Sequence, residues 1–171
     1  DAIIREAGIA RQSLYNHFPS KDALFKAVVE YSSWRTMKPL LTLDLAQDLP
    51  LPDALRRFGE SYMEGMLDPE NLALTRLISA ATAPLPSAGQ TAYEVGPSRT
   101  IPVLADYLRG QGEAGKIVCP EPELAAESFF GALVGPARFR YLLGVNIAST
   151  PAQRRAYVAT VVVIYVKGLG Y

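Results

Sequence analysis

A single cysteine, a single histidine and a single tryptophan occur among the 171 residues, and the first two scarcities each close off a class of chemistry. Cys119 alone allows no disulfide within the chain and no multi-cysteine zinc site, which fits a reducing compartment, so the cytoplasm is the expected location. With no basic cluster around it in sequence, Cys119 reads as a passive thiol rather than a redox sensor. His17 alone builds neither a metal site nor a catalytic triad. No apolar run reaches the ~18 residues that a membrane-crossing helix needs. Charge of neither sign dominates: 17 Lys and Arg meet 17 Asp and Glu, with five against four in residues 1–37 and twelve against thirteen in the remainder. That balance is not the footprint of a strongly basic nucleic-acid binder. A Gly-rich phosphate loop is also absent, since Gly110-Gln111-Gly112 lacks both the lysine and the preceding strand. With no paired carboxylates and no Cys/His set, an α-helical enzyme is disfavoured, and neither a cofactor nor a metal is expected.

What is present is apolar residues, 49% of the chain, enough for one compact domain plus a small one. The first 21 residues organise the rest. Ala2, Ile3 and Ala7 fall on one face of a short helix, and Gly8 breaks it, because glycine takes the left-handed conformation that other residues resist. A second short helix over residues 11–18 is stopped by Pro19, which pushes the residue before it out of helical geometry. Two short helices joined by a tight glycine turn make a helix-turn-helix. On the second helix Leu14 and Phe18 fall together and point inward, while Gln12 and Asn16 fall opposite, flanked by Ser13 and Tyr15. Gln and Asn pair a donor with an acceptor as the major-groove edge of adenine requires, and Arg11 reaches guanine or phosphate. Tyr15 offers a hydroxyl to phosphate and a ring to a thymine methyl. The bland alternative is a solvated helix face. His17 suits a phosphate contact or a packing role. Lys21, at a helix start where the macrodipole disfavours a cation, answers an external phosphate.

Residues Ile4-Arg5-Glu6-Ala7-Gly8-Ile9 and Leu14-Tyr15-Asn16-His17-Phe18-Pro19-Ser20-Lys21-Asp22-Ala23-Leu24-Phe25 resemble the DNA-binding domain of the tetracycline-repressor (TetR) family of bacterial regulators. The resemblance is ungapped over about the first thirty residues, and it implies a further helix ahead of Asp1. More loosely, Arg76-Leu77-Ile78, Tyr93-Glu94-Val95-Gly96-Pro97, Tyr107-Leu108-Arg109, Gly115-Lys116 and Leu124-Ala125-Ala126-Glu127 are similar to the C-terminal domain of the AefR-like subgroup.

The remaining chain reads as all-α. Ser20 caps a helix over residues 21–37, with Leu24, Val28 and Tyr31 in one apolar line beside Phe25 and Val29. Its far end, near Trp34, reaches into a second domain, which makes it a lever. Residues 38–51 are irregular. A helix over 52–67 carries Phe58, Tyr62 and Met66 at spacings of four; Asp68-Pro69 opens the next, with Leu74, Leu77 and Ile78. Pro84 to Gly89 reads as a loop, and residues 90–112 as a helix kinked or broken at Gly96-Pro97 and Pro102. A helix over 123–141 follows an extended segment over 118–122. The last helix, 151–168, carries the strand-favouring run Val161-Val162-Val163-Ile164-Tyr165-Val166, β-branched except at the aromatic Tyr165. Even so, a capping box in Thr150-Pro151-Ala152-Gln153 and Gly168 as a stop frame it as helix. Being apolar nearly all round, it must be covered on more than one side, with an outward valine among Val158, Val161 and Val162.

These elements suggest two domains, residues 1–37 for DNA and 38–171 for ligand and dimer. The expected partners are a palindromic DNA operator, a second copy joined through the helices over 123–141 and 151–168, and a small hydrophobic or aromatic effector. Candidate cavity walls are Phe58, Tyr62, Met66, Tyr93, Tyr107 and Phe129, with Arg76 and Glu94 as polar anchors, although such a stripe is more often plain core. The leading function is a ligand-responsive repressor; an all-α binding module that does not touch DNA is the alternative.

Overall fold

The computed structural model describes residues 2–42, 49–83, 85–145 and 149–171, the side chains of Ala2, Ile3 and Pro86 excepted. Among the described residues every regular element is a helix: α1 (Ala2–Ala7), α2 (Arg11–His17), α3 (Lys21–Leu41), α4 (Leu51–Met66), α5 (Pro69–Ala81), α6 (Pro86–Val95), α7 (Pro97–Glu113), α8 (Pro122–Leu142) and α9 (Pro151–Gly168). The expected roles of Ala2 and Ile3, and the calls on residues 43–48 and Pro84, lie outside the described residues.

α4 is the axis of the larger unit because its sequence is apolar on one face and charged on the other. Leu51, Ala54, Leu55, Phe58, Gly59, Tyr62, Met63 and Met66 recur at three- and four-residue steps and are all buried. Arg56, Arg57 and Glu64 stay exposed. Against this face pack Phe129, Phe130 and Leu133 of α8 and Val158, Val161 and Val162 of α9, and Leu104, Tyr107 and Leu108 of α7 belong to the same core cluster. Gly59 permits the closest approach: a Cβ there would stand 2.8 Å from Val158 Cγ1. A smaller cluster of Val29, Leu74 and Val95, with Phe25, Ile78 and Ala92 against it, joins α3 to α5 and α6.

Several elements depart from their sequence reading. α3 continues through Pro39 to Leu41 instead of ending near residue 37. Pro39 cannot donate to the carbonyl one turn back, but Met37 and Leu40 are buried in the main core, and the Thr42 hydroxyl donates to the Lys38 carbonyl at 2.8 Å. Burial of Leu40 offsets the missing bond. Along the same helix the buried side is Val29, Met37 and Leu40, whereas Val28, Tyr31 and Trp34 are exposed. Residues 86–89 belong to α6, with Pro86 in its first turn, where a missing N–H costs nothing. The expected break falls at Gly96 between α6 and α7, while Pro102 sits inside continuous helix. The valines expected to face outward, Val158, Val161 and Val162, all turn inward onto α4; Val163 and Ile164 are the exposed pair, at 54% and 63%. Thr150 and Gln153 form the full capping box, with Gln153 N–H donating to Thr150 Oγ1 at 3.2 Å and Thr150 N–H to Gln153 Oε1 at 2.8 Å.

Candidate nucleic-acid interface and effector cavity

The turn between α1 and α2 is made by Gly8 at φ +62°, in the left-handed region where a side chain is strained. Gly8 N–H donates to Arg5 O and Ile9 N–H to Ile4 O, so the last carbonyls of α1 are satisfied in a Schellman turn. α2 leaves at the angle this turn sets. Its own N-cap, Ala10, offers no side-chain oxygen. α2 ends at Phe18, ahead of Pro19, and the Ser20 hydroxyl accepts from Ala23 N–H at 3.0 Å to start α3. Leu14 and Phe18 are half-buried on the inner side, and Arg11, Gln12, Ser13, Tyr15, Asn16 and His17 are exposed, as is Lys21 at the head of α3. The polar face is organised: Gln12 Nε2 donates to Asn16 Oδ1 at 3.0 Å. His17 Nδ1 lies 3.0 Å from the Ser13 carbonyl, which can only accept, so Nδ1 carries the proton and Nε2 faces out.

Behind this unit, a cavity of about 260 Å³ opens within the helical domain. Its walls are Ser33, Thr36 and Met37 of α3; Tyr62 and Met66 of α4; Asn71, Leu74, Thr75, Ile78 and Ser79 of α5; Ala92 and Tyr93 of α6; Pro97 and Thr100 of α7; and Arg138 of α8. A second hollow of about 410 Å³ adjoins it, sharing Tyr62, Pro97, Thr100 and Arg138 and adding Ile101, Glu127, Phe130, Val134, Phe139 and Leu142 among others. The broken helix at Gly96 leaves this space, because α6 and α7 cannot close on α8 as one straight rod. Burial pushes the Tyr62 phenol above its ordinary value, and the Arg138 charge opposes that rise.

The structure brings together Tyr62, Met66 and Tyr93 of the expected walls. Three others are core and line neither hollow. Phe58 and Phe129 are fully buried, with Phe129 edge-on to Tyr165 at 5.1 Å, and the Tyr107 hydroxyl donates to Leu49 O at 2.8 Å. The anchors also differ. Arg76 lines neither of these hollows but a separate one of about 680 Å³ with Glu64, Leu72, Tyr141 and Arg154, where it stacks over Tyr141 at 4.3 Å and donates to its carbonyl at 2.6 Å, and Glu94 is exposed and accepts from Gln90. Arg138, Thr75 and Asn71 were not singled out from sequence. The signal was available: Arg138 continues the stripe of Phe130 and Val134 at spacings of four, and Asn71, Thr75 and Ser79 form a polar stripe on α5 at the same spacing.

Residues 1–28 match the family model described as bacterial regulatory proteins, tetR family, and residues 53–168 match that of the AefR-like transcriptional repressor C-terminal domain. No curated protein matches the sequence. Among solved structures, a candidate TetR-family transcriptional regulator from Mesorhizobium loti superposes with a TM-score of 0.85 at 24% identity, over 97% of this chain and 83% of that one. The flavonoid-responsive regulator FrrA matches with a TM-score of 0.74 at 26% identity, over 98% and 84%. A TetR family regulator from Pseudomonas syringae pv. tomato matches with a TM-score of 0.78 at 21% identity, over 98% and 83%. The structural likenesses repeat the fold, and the family models cover the glycine-turned helix pair and the cavity-bearing bundle alike. The chain therefore belongs to the TetR family of bacterial regulatory proteins, as a DNA-binding transcriptional regulator rather than an enzyme.

Proposed function

We propose that this regulator is a cytoplasmic repressor that holds a palindromic operator as a homodimer and releases it when a small apolar or aromatic molecule enters the cavity behind α3. The observation that carries this reading is the position of α3. One helix begins at the DNA-facing unit and then supplies Ser33, Thr36 and Met37 to the cavity wall. An occupant that fits only when α3 has shifted moves the recognition helix with it, and two recognition helices so displaced no longer match successive major grooves. Residues 1–37 serve the DNA and 38–171 the effector and the partner, with α3 crossing from one to the other. Arg11, Gln12, Ser13, Tyr15 and Asn16 read base edges; His17 and Lys21 hold phosphates. The flavonoid response of FrrA supports an aromatic effector here.

A ligand preferring the shifted state by about a hundredfold supplies roughly 2.7 kcal/mol, enough to empty an operator held near its dissociation midpoint. The test is operator affinity by fluorescence anisotropy in the intact protein, against a panel of hydrophobic and aromatic compounds, for wild type and Tyr62→Ala. At least one compound is expected to weaken wild-type binding and to lose its effect in the variant. If none shifts operator affinity, effector release is wrong and DNA binding alone stands.

A further inference from the structure

Most polar side chains along the α5 and α7 walls of the cavity already donate a hydrogen bond within the protein. Thr75 Oγ1 donates to Asn71 O, Ser79 Oγ to Thr75 O, and Thr100 Oγ1 to Gly96 O, while Asn71 Nδ2 donates to Met66 O. Tyr62 and Arg138, which line both hollows, keep donors in hand. Tyr62 is 9% exposed, lines both hollows, and its hydroxyl makes no hydrogen bond with any described residue. Arg138 is half-buried, donates once, to Thr75 Oγ1 at 3.3 Å, and has no ion pair among the described residues. A guanidinium with one of five donors used, beside a buried phenol with none, is complementary to an anion that accepts from both.

Charge and shape narrow the class. Glu127 is the one carboxylate lining either hollow, 11 residues before Arg138 on α8 and so about 16 Å away along the helix. The site therefore supplies a single local cation, which suits a monoanion and works against a phosphate dianion. The guanidinium fork matches a planar carboxylate through two parallel bonds. Leu74, Ile78, Met37, Met66 and Tyr93 give the rest of the inner hollow an apolar, aromatic wall, and about 260 Å³ accommodates one ring with a short chain.

Resting on the effector reading above, we infer that the occupant is an aromatic monocarboxylate, its carboxylate taken up by Arg138 and the Tyr62 hydroxyl and its ring lying toward α3. Ser33 and Thr36 then face the far end of the ligand. The carboxylate fixes one end against α8, so ring size decides how far α3 is displaced.

Isothermal titration of the full chain with 3-phenylpropionate, its primary amide and phenyl phosphate tests this at neutral pH. The acid is expected to bind at least tenfold more tightly than the amide or the phosphate. Arg138→Met should cost the acid at least tenfold while leaving the amide unchanged, which also serves as the folding control. Arg138→Lys should retain part of the preference, and Tyr62→Phe should weaken the acid several-fold. Equal affinity of acid and amide, or an acid insensitive to Arg138→Met, overturns the carboxylate inference and leaves a neutral aromatic effector standing. Binding by none of the three overturns the inference, and the effector reading falls with it if the wider hydrophobic panel also leaves operator affinity unmoved.

Discussion

Gln12 and Asn16 are four residues apart on α2 and bonded to each other, which leaves Gln12 Oε1 as an acceptor and Asn16 Nδ2 as a donor at the outward edge. In the proposed operator complex that pair would meet a base already arranged rather than having to be ordered on binding. Gln12→Ala is expected to cost about 1–3 kcal/mol on the preferred operator and to relax preference at one position. Lys21→Ala should weaken all sequences alike and flatten the salt slope by about one unit; anisotropy titrations across salt concentrations separate the two effects. In the core, burial pushes the Tyr107 phenol up to about 12, and its hydroxyl donates to Leu49 O. The folded state thus keeps a proton that the unfolded chain sheds near pH ~10. Stability from this group is whole below that pH and declines as pH rises toward about 12, because only the unfolded state gains by ionising there. Tyr107→Phe should flatten the alkaline fall in the urea midpoint between about pH 9 and about pH 11. Cys119 is less reactive than an exposed thiol, since burial, then the Glu123 carboxylate, push its pKa up.

Among the elements, the seam between α3 and α4 is sensitive to volume. A Cβ on Gly65 would stand 2.9 Å from Thr36 Cγ2 and 3.2 Å from the Thr36 carbonyl oxygen. A backbone atom cannot swing aside as a side chain end can, so Gly65→Ala must push α3 away from α4. Overpacking of this kind costs about 1–3 kcal/mol of stability. If α3 is the lever, the same substitution lowers operator affinity in the absence of any effector. A variant that loses stability by thermal unfolding yet binds operator like wild type would show that this seam does not govern the DNA unit. The exposed ion pair of Arg35 with Glu70 spans α3 and α5 near the same cavity, but an exposed pair holds α3 only weakly.

At the scale of the whole molecule, a single recognition helix reads too few base pairs for a specific operator, and the proposed dimer supplies the second. The exposed side of α9 carries Val163 and Ile164, and the exposed side of α8 carries Leu124 and Phe139. These are the side chains left for a partner once Val158, Val161 and Val162 are spent on α4. Ile164→Asp is expected to give monomers by sedimentation velocity and to abolish operator binding while leaving the helical content unchanged. A wild-type protein that sediments as a monomer removes the dimer from the proposal.

Local signals in the chain were sufficient for several features that depend on neighbours in sequence, although the loop read over 84–89 missed Pro86 as the first turn of α6. Gly8 and Pro19 delimit α2, Ser20 starts α3, and the Thr150 capping box holds a largely β-branched stretch in helix against its strand propensity. These are contacts over one to four residues, and the spacing of residue types specifies them. Tertiary packing decided the rest. Pro39 lies within helix because the core receives Leu40, the valines of α9 turn inward because Gly59 of α4 makes room for Val158, and Tyr62 faces a cavity while Phe58, one turn earlier, is solid core. Each outcome depends on which helix lies opposite, and two aromatic residues on one stripe carry no mark of whether the neighbour across from them is continuous or broken at Gly96.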